Sequence, residues 1–313
     1  MIPIVDFSAY GLNVNTVGDD ELQQLADSVY KAFTTVGFVY LKGHGLPKTQ
    51  ISDVYNVSQK FFDLPEEVKM RYAIPKGEYY GYAPMEGERL NPSQPGDLKE
   101  TYSFIPYDGT TPKIIPKEEL PNFYSDFETL FRSCEKLGKR VLQIMALGMK
   151  MERNYFDQYH SKIGSLENTS CIRFLNYPPV PDDKEIEAGQ LRLGEHSDYG
   201  SITLLIQDDI GGLEVASRDG TFVSATPVVD TVLVNIGDMM QRWTSDTLLS
   251  NRHRVVVPTD EKLRRCARKS MAFFIQPDNS TIVKSLDGSN KYEPINALDY
   301  LDMQFKKAYG QSN

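Results

Sequence analysis

Residues 195–205 read EHSDYGSITLL, and the fold turns on how this run is divided between strand and turn. His196 and Asp198 stand two apart, just before an alternating apolar stretch. Successive side chains of a β-strand point to opposite faces. Taken as one strand, the run puts His196 and Asp198 on the face that also carries Ile202, Leu204 and Ile206. A core row that begins with an imidazole and a carboxylate needs a reason, because buried polar groups need partners. One reading is a strand end that hydrogen-bonds into a turn. The other is one arm of a metal site.

The texture around this run is β. Strands are expected at 170–177, 190–194, 201–207, 212–217, 221–224, 231–236, 252–257, 268–275 and 281–285, separated by turn signals such as DDIGG and PTDEK. Short strands with no intervening helix except GDMMQRWTS imply an antiparallel sandwich or barrel.

The preceding half is mostly helical. Leu22, Leu25, Val29 and Phe33 recur at helical spacing after Asp19 and Asp20, which read as a cap, and Gly37 ends the pattern. FVYLKGHG reads as a strand entering a glycine turn. A second helix runs through Ile51, Val54, Val57 and Phe61, and DLPEEVK starts another. Residues 75–122 are rich in Pro, Gly and Tyr and read as a long loop of the kind that covers binding sites. Tyr79, Tyr80, Tyr82 and Arg89 are its pocket-lining candidates. From Phe123 to Gly148, apolar residues step by fours and threes. With no flanking heptads, this is a core helix packed across a sheet rather than a coiled coil.

Composition narrows the function. The chain has 313 residues, 40% hydrophobic and 25% charged, with a net charge of -9. That balance disfavours general binding to nucleic acid or anionic membranes. No window offers the roughly 20 apolar residues of a membrane span. Cys134, Cys171 and Cys266 form no C-x-x-C pair, which speaks against a disulfide framework and for a reducing, cytoplasmic setting. Neither a dinucleotide-binding glycine motif nor a P-loop is present.

Histidines are scarce: His44, His160, His196 and His253. His44 lies in a glycine turn and His160 in a polar helix end; both read as surface or local capping groups. His253 ends a β pattern in NRHRVVVP and is the histidine available to join His196 and Asp198. Two histidines and a carboxylate on one side of a metal leave open positions, the arrangement of non-haem Fe(II) oxygenases. In RKSMAFFIQP, Arg268, Ser270, Ala272 and Phe274 share one strand face. An inward arginine needs an anion, and a dicarboxylate would take a two-pronged grip from Arg268 with a hydroxyl from Ser270. An edge strand with Arg268 facing solvent is the alternative. In CIRFLNYPP, Arg173, Leu175 and Tyr177 share a face, so Arg173 points where Tyr177 points. Tyr177 either offers its hydroxyl to that dicarboxylate or packs in the core with the hydroxyl at the rim.

HSDYGSITLL, followed by N-x-G-D at residues 235–238, H-R-V from His253 and R-x-S from Arg268, resembles the Fe(II)/2-oxoglutarate-dependent dioxygenases of the isopenicillin N synthase-like group. IPIVDFS, GFVYLKGHG and FFDLPEEVK resemble that group's N-terminal region. The resemblance implies a mainly β protein with flanking helices (α+β): a double-stranded β-helix, or jelly-roll, core with a helical N-terminal region. It implies an N-terminal region at 1–122, a long core helix at 123–160, a catalytic core at 168–280, and a C-terminal strand and helix at 281–313. By the same resemblance, His196, Asp198 and His253 bind Fe(II). Arg268, Ser270 and Tyr177 bind the cosubstrate 2-oxoglutarate, O2 is the oxidant and ascorbate a reductant. The implied reaction oxidises a small molecule while 2-oxoglutarate becomes succinate and CO2.

The chain departs from plant members. They often carry N-Y-Y-P-P, where this chain has Leu175, Asn176, Tyr177, Pro178 and Pro179, and often SNG, where this chain has MMQRWTSDTLLSNRHRV. The latter run is more like fungal thymine-hydroxylase-type members, in which the counterparts of Arg173 and Phe274 face the pyrimidine. Alternatively, Phe274 is a core aromatic and Arg173 pairs with an acid. Other readings of the whole are an iron oxidase that does not use 2-oxoglutarate and a non-catalytic binding protein. Oligomeric state is not readable from the sequence.

Overall fold

The computed structural model describes residues 1–89, 95–106, 114–181 and 186–308. In chain order its elements are β1 (Ile4–Asp6), α1 (Asp19–Thr35), β2 (Phe38–Lys42), α2 (Lys48–Phe62), α3 (Glu66–Lys69), β3 (Gly81–Ala83), β4 (Glu100–Phe104) and α4 (Phe123–Gly148). Then come β5 (Cys171–Tyr177), β6 (Leu193–His196), β7 (Ile202–Gln207), β8 (Leu213–Ala216), β9 (Phe222–Ser224), β10 (Thr231–Ile236), α5 (Asp238–Trp243) and β11 (His253–Val255). The last are α6 (Glu261–Arg264), β12 (Arg268–Ile275), β13 (Ile282–Val283), β14 (Ile295–Asn296) and α7 (Ala297–Ala308).

A major sheet has the order β1-β2-β10-β7-β12-β5-β4-β3, and a minor sheet the order β6-β11-β8-β9. From β5 to β12 the chain passes back and forth between the two: β5 in the major sheet, β6 in the minor, β7 in the major, the β8–β9 hairpin in the minor, β10 in the major, β11 in the minor and β12 in the major. That alternation is the double-stranded β-helix expected from the motifs. β1 pairs with β2 in parallel, and the other neighbours in both sheets are antiparallel.

The major sheet divides its side chains by parity. Val39, Leu41, Phe174, Leu204, Val234, Met271 and Phe273 join a core with Leu25, Val29 and Phe33 of α1, Val54 and Phe61 of α2, and Leu137 and Val141 of α4. Phe38, Tyr40, Leu175, Leu233 and Ala272 face the other way, against Leu193, Leu213, Val215 and Val255 of the minor sheet. The long helix α4 is therefore the core helix its spacing implied. It lies close to the sheet because Gly138 has no side chain; a Cβ there would meet Ile275 Cδ1 at 2.0 Å. Gly37 follows α1 at φ 72°, and its N–H bonds back to Ala32 O, as at a left-handed helix end.

Several expectations are corrected. Asp19 and Asp20 do not cap α1: Gly18 is the N-cap, no side chain bonds there, and the acids fill the first turn, where the helix dipole favours them. Residues 75–122 are not simply loop, since β3 and β4 extend the major sheet beyond β5. All five residues of β4 are buried, so its sequence shows no one-sided alternation. Residues 90–94 and 107–113 of this segment lie outside the described residues. His44 does act locally, accepting from Leu46 N at 3.1 Å. His160 is fully buried, with Nδ1 2.8 Å from Phe156 O and Nε2 2.8 Å from Ser201 Oγ. Burial pushes its pKa down to about 4, so it is a neutral core histidine. Among the described residues no helix is long and apolar enough to cross a membrane.

Candidate metal centre and cosubstrate pocket

The opening run is not one strand. β6 ends at His196 in the minor sheet, and β7 begins at Ile202 in the major sheet. Residues 197–201 carry the chain across. Parity does not survive this crossing, so Ile202 and Leu204 face the helices, while Thr203 and Leu205 face the interior between the sheets. Gly200 permits the crossing, because a Cβ there would sit 2.5 Å from Ile275 O. Gly237 of the N-x-G-D segment is equally constrained, since its Cβ would sit 2.3 Å from Gly200 O. The first turn of α5 then docks on the loop: Asp238 N donates to Asp198 O at 2.7 Å, and Met239 N to Gly200 O at 3.1 Å. Backbone donors that a helix start leaves unpaired thus hold the Asp198 loop.

His196 and His253 are directly opposed on β6 and β11. Their ring centroids are 4.2 Å apart. His196 Nε2 lies 3.8 Å and His253 Nε2 3.7 Å from Asp198 Oδ1. One ligand atom from each of the three residues lies within 4.8 Å of the others. Each imidazole has its Nδ1 on a backbone carbonyl, Gly194 O at 2.8 Å for His196 and Asn251 O at 3.2 Å for His253. This fixes the tautomer and leaves both Nε2 lone pairs facing Asp198. Asp198 Oδ2 accepts from Thr203 Oγ1 at 2.6 Å and Asn235 Nδ2 at 2.7 Å, so Oδ1 is the oxygen left to the centre. Burial opposes charge on Asp198, but His253, His196, Asn235 and Thr203 together hold its carboxyl below the ordinary range. Burial and then the neighbouring His253 push His196 well below its ordinary value. Two imidazole Nε2 atoms and the free Oδ1 of Asp198 are a donor set suited to a divalent transition metal.

The cavity between the sheets is lined by His196, Asp198, His253, Tyr177, Arg268 and Ser270 together. Arg268 is buried, and its face of β12 is the interior one, so the edge-strand alternative fails. Its Nε donates to Gly211 O at 2.8 Å, Nη1 to Ser270 Oγ at 3.2 Å and Nη2 to Gln207 Oε1 at 3.2 Å. All three partners are neutral. Tyr177 pairs with Arg268 across β5 and β12, and the guanidinium lies 4.8 Å from its ring centroid. Burial raises the Tyr177 pKa despite the opposing pull of Arg268, so the phenol stays a neutral donor.

A second cavity meets the first at His196, Asp198 and Phe274 and opens toward Arg173, Tyr199 and Phe305. Arg173 lines this cavity and pairs with an acid, Glu88 Oε1, at 3.3 Å, as one of its two readings expected. Its guanidinium is 5.8 Å from the Phe274 ring centroid. Glu88 also pairs with Lys99, which lies 3.2 Å from Asp97 Oδ2. Burial opposes charge on Lys99, but Glu88 and Asp97 outweigh it and raise the ammonium pKa. Asp97 Oδ1 in turn accepts from Gly194 N at 2.8 Å, beside the carbonyl that orients His196.

Two lining expectations are corrected. Tyr82 lies on the helix side of the sheet, against Phe61, with its hydroxyl on Glu100 Oε2 at 2.7 Å. Tyr80 packs with Ile105, Ile114 and Cys171 behind the wall. The tyrosine that reaches the cavity is Tyr79, held by Asp302 and Phe305 of α7. Sequence reasoning also missed Thr203, Asn235, Glu88, Lys99, Tyr199, Leu301 and Phe305. Asn235 carried a signal, since its motif was noted without a role; Lys99, Glu88 and Phe305 carried none.

Comparison with known proteins places this geometry. Residues 168–277 match the 2OG-Fe(II) oxygenase superfamily, and residues 2–126 match the family described as non-haem dioxygenase in morphine synthesis N-terminal. The chain is 34% identical to UPF0676 protein C1494.01 of Schizosaccharomyces pombe, over 88% of this chain and 86% of that protein. It is 32% identical to the 2-oxoglutarate-Fe(II) type oxidoreductase ppzD of Metarhizium rileyi, over 88% and 83%. Among solved structures, the thymine-7-hydroxylase of Neurospora crassa in complex with alpha-KG and thymine superimposes with a TM-score of 0.83 at 34% identity, covering 96% of this chain and 95% of that one. The chain belongs to the 2-oxoglutarate/Fe(II) oxygenase family. It is an iron-dependent dioxygenase that couples 2-oxoglutarate decarboxylation to oxidation of a small organic substrate.

Proposed function

We propose that His196, Asp198 and His253 hold the Fe(II), that Arg268, Ser270 and Tyr177 hold the distal carboxylate of 2-oxoglutarate, and that the substrate is a small, flat, polar compound of nucleobase type. The observation that carries this reading is the position of the three clustered ligands between two cavities. One cavity ends in Arg268 and Ser270; the other is walled by Phe274, Tyr199 and Arg173. The cosubstrate and the substrate therefore approach one metal from different sides.

Bound Fe(II) and 2-oxoglutarate supply the oxidising chemistry with O2, releasing succinate and CO2. The chain's own residues do the rest. Thr203 and Asn235 keep Asp198 ionised and turned. The Gly194 and Asn251 carbonyls keep both histidines in the metal-binding tautomer. Arg268 anchors a dicarboxylate by its far end, which fixes the reach of the near end. Phe274 and Tyr199 supply aromatic surface to the cavity for a planar substrate, and the Arg173–Glu88–Lys99 chain offers donors and acceptors on one wall.

The test is succinate release by the Fe(II)-loaded protein over panels of nucleobases, amino acids, flavonoids and terpenoid acids. Nucleobase-dependent succinate release supports the reading. Release driven by another panel alone removes the nucleobase assignment, and failure of Arg268→Ala to change the 2-oxoglutarate requirement removes the cosubstrate site.

A further inference from the structure

Arg192 immediately precedes β6 and has no solvent exposure. Its Nη2 donates to Cys266 O at 2.9 Å, two residues before Arg268. Its Nε and Nη1 have no hydrogen-bond partner among the described residues. A buried guanidinium left unpaired is costly, and a carboxylate is the natural remedy. Among the described residues, the carboxylate whose charge reaches Arg192 is Asp208, and it is engaged by the backbone N–H groups of Ile210 and Lys269. Arg268 does not use it as a hydrogen-bond partner either; its own partners are a carbonyl, a hydroxyl and an amide. Arg268 lies over the Tyr177 ring, Arg192 is tied to the start of the same strand through Cys266 O, and burial followed by the charge of Arg268 lowers the Arg192 pKa. Arg192 is not among the residues lining the cavity that holds Arg268.

We infer that Arg192 is a positioning residue for the cosubstrate: a second positive charge behind Arg268 that makes this end of the barrel selective for a dianionic 2-oxo acid. It pins the Cys266 carbonyl, so that β12 starts with Arg268 turned inward, and its charge is balanced when the distal carboxylate arrives. This rests on Arg268 being the partner of that carboxylate.

The experiment measures binding rather than turnover. The Mn(II)-loaded protein, without oxygen, is titrated with 2-oxoglutarate and with 2-oxopentanoate, which lacks the distal carboxylate. Arg192→Gln keeps a donor for Cys266 O but removes the charge. It is expected to weaken 2-oxoglutarate about tenfold, the loss of one charge-assisted contribution, and to leave 2-oxopentanoate within about twofold. Arg192→Lys, which keeps the charge, is expected to stay within about threefold of wild type for both acids. Equal weakening of both acids by Arg192→Gln, or no weakening, overturns the inference. If the Gln variant does not fold, selective loss of 2-oxoglutarate by Arg192→Lys beyond about tenfold overturns it instead. Arg268→Leu separates the two claims. If that variant shows selective loss and Arg192→Gln does not, only the role of Arg192 fails; if Arg268→Leu shows none, the cosubstrate site itself fails.

Discussion

The two faces of the major sheet use the same strands for opposite purposes. On β12, Met271 and Phe273 enter the apolar core beneath the helices, while Arg268 and Ser270, one step out of phase, enter the cavity. On β7, Leu204 faces the helices, and Thr203 holds Asp198. On β10, Val234 is core, and Asn235 holds the same carboxylate. A period of two lets each strand contribute stability with alternate residues and chemistry with the others. The helix face supplies the rigidity that keeps polar groups of the cavity face within ångströms of one another. Damage to one face should therefore read out differently from damage to the other.

The largest expected effect is on the cavity side. Asp198→Ala should reduce iron-dependent turnover by about a thousandfold or more, since it removes a ligand and the negative charge that balances the metal. Circular dichroism should remain that of a folded protein. Normal turnover in this variant would refute the metal centre. Next comes a lesion on the helix side. Phe273→Ala should cost about 3–5 kcal/mol of stability in denaturant unfolding. The fraction still folded should bind Fe(II) as wild type does; lost metal affinity there would show that the two faces are not separable. Arg268→Ala should raise the 2-oxoglutarate concentration needed for half-maximal turnover by about a hundredfold with a near-native melting temperature. The smallest effect belongs to Thr203→Val, which deletes the 2.6 Å bond to Asp198 Oδ2 while keeping the volume. Fe(II) affinity should fall about tenfold, measured by metal titration.

The division between the faces was legible only where a strand stayed continuous. Parity within 268–275 and 171–177 correctly set Arg268, Ser270, Phe274, Arg173 and Tyr177 on interior faces, because both segments are unbroken strands in the middle of the sheet. The same counting across residues 196–206 misassigned Ile202 and Leu204, because the chain changes sheets at 197–201. The expectation that Tyr80 and Tyr82 line the pocket failed for a related reason. Residues 75–122 contain β3 and β4, whose burial on both faces hides the pattern.

The sequence by itself determined the faces of β12 and the core helix through strand and helix period, which are local, and a sandwich-or-barrel texture; the β-helix class and the joining of His253 to His196 and Asp198 rested on the resemblance of its motifs to a known family. Tertiary structure alone decided which oxygen of Asp198 stays free and that Glu88, Lys99, Tyr199 and α7 wall the second cavity. It also decided that Arg192 lies buried near Arg268 with two of its nitrogens unmatched among the described residues. These residues come together from positions far apart in the chain, and no local period records a contact made across two sheets.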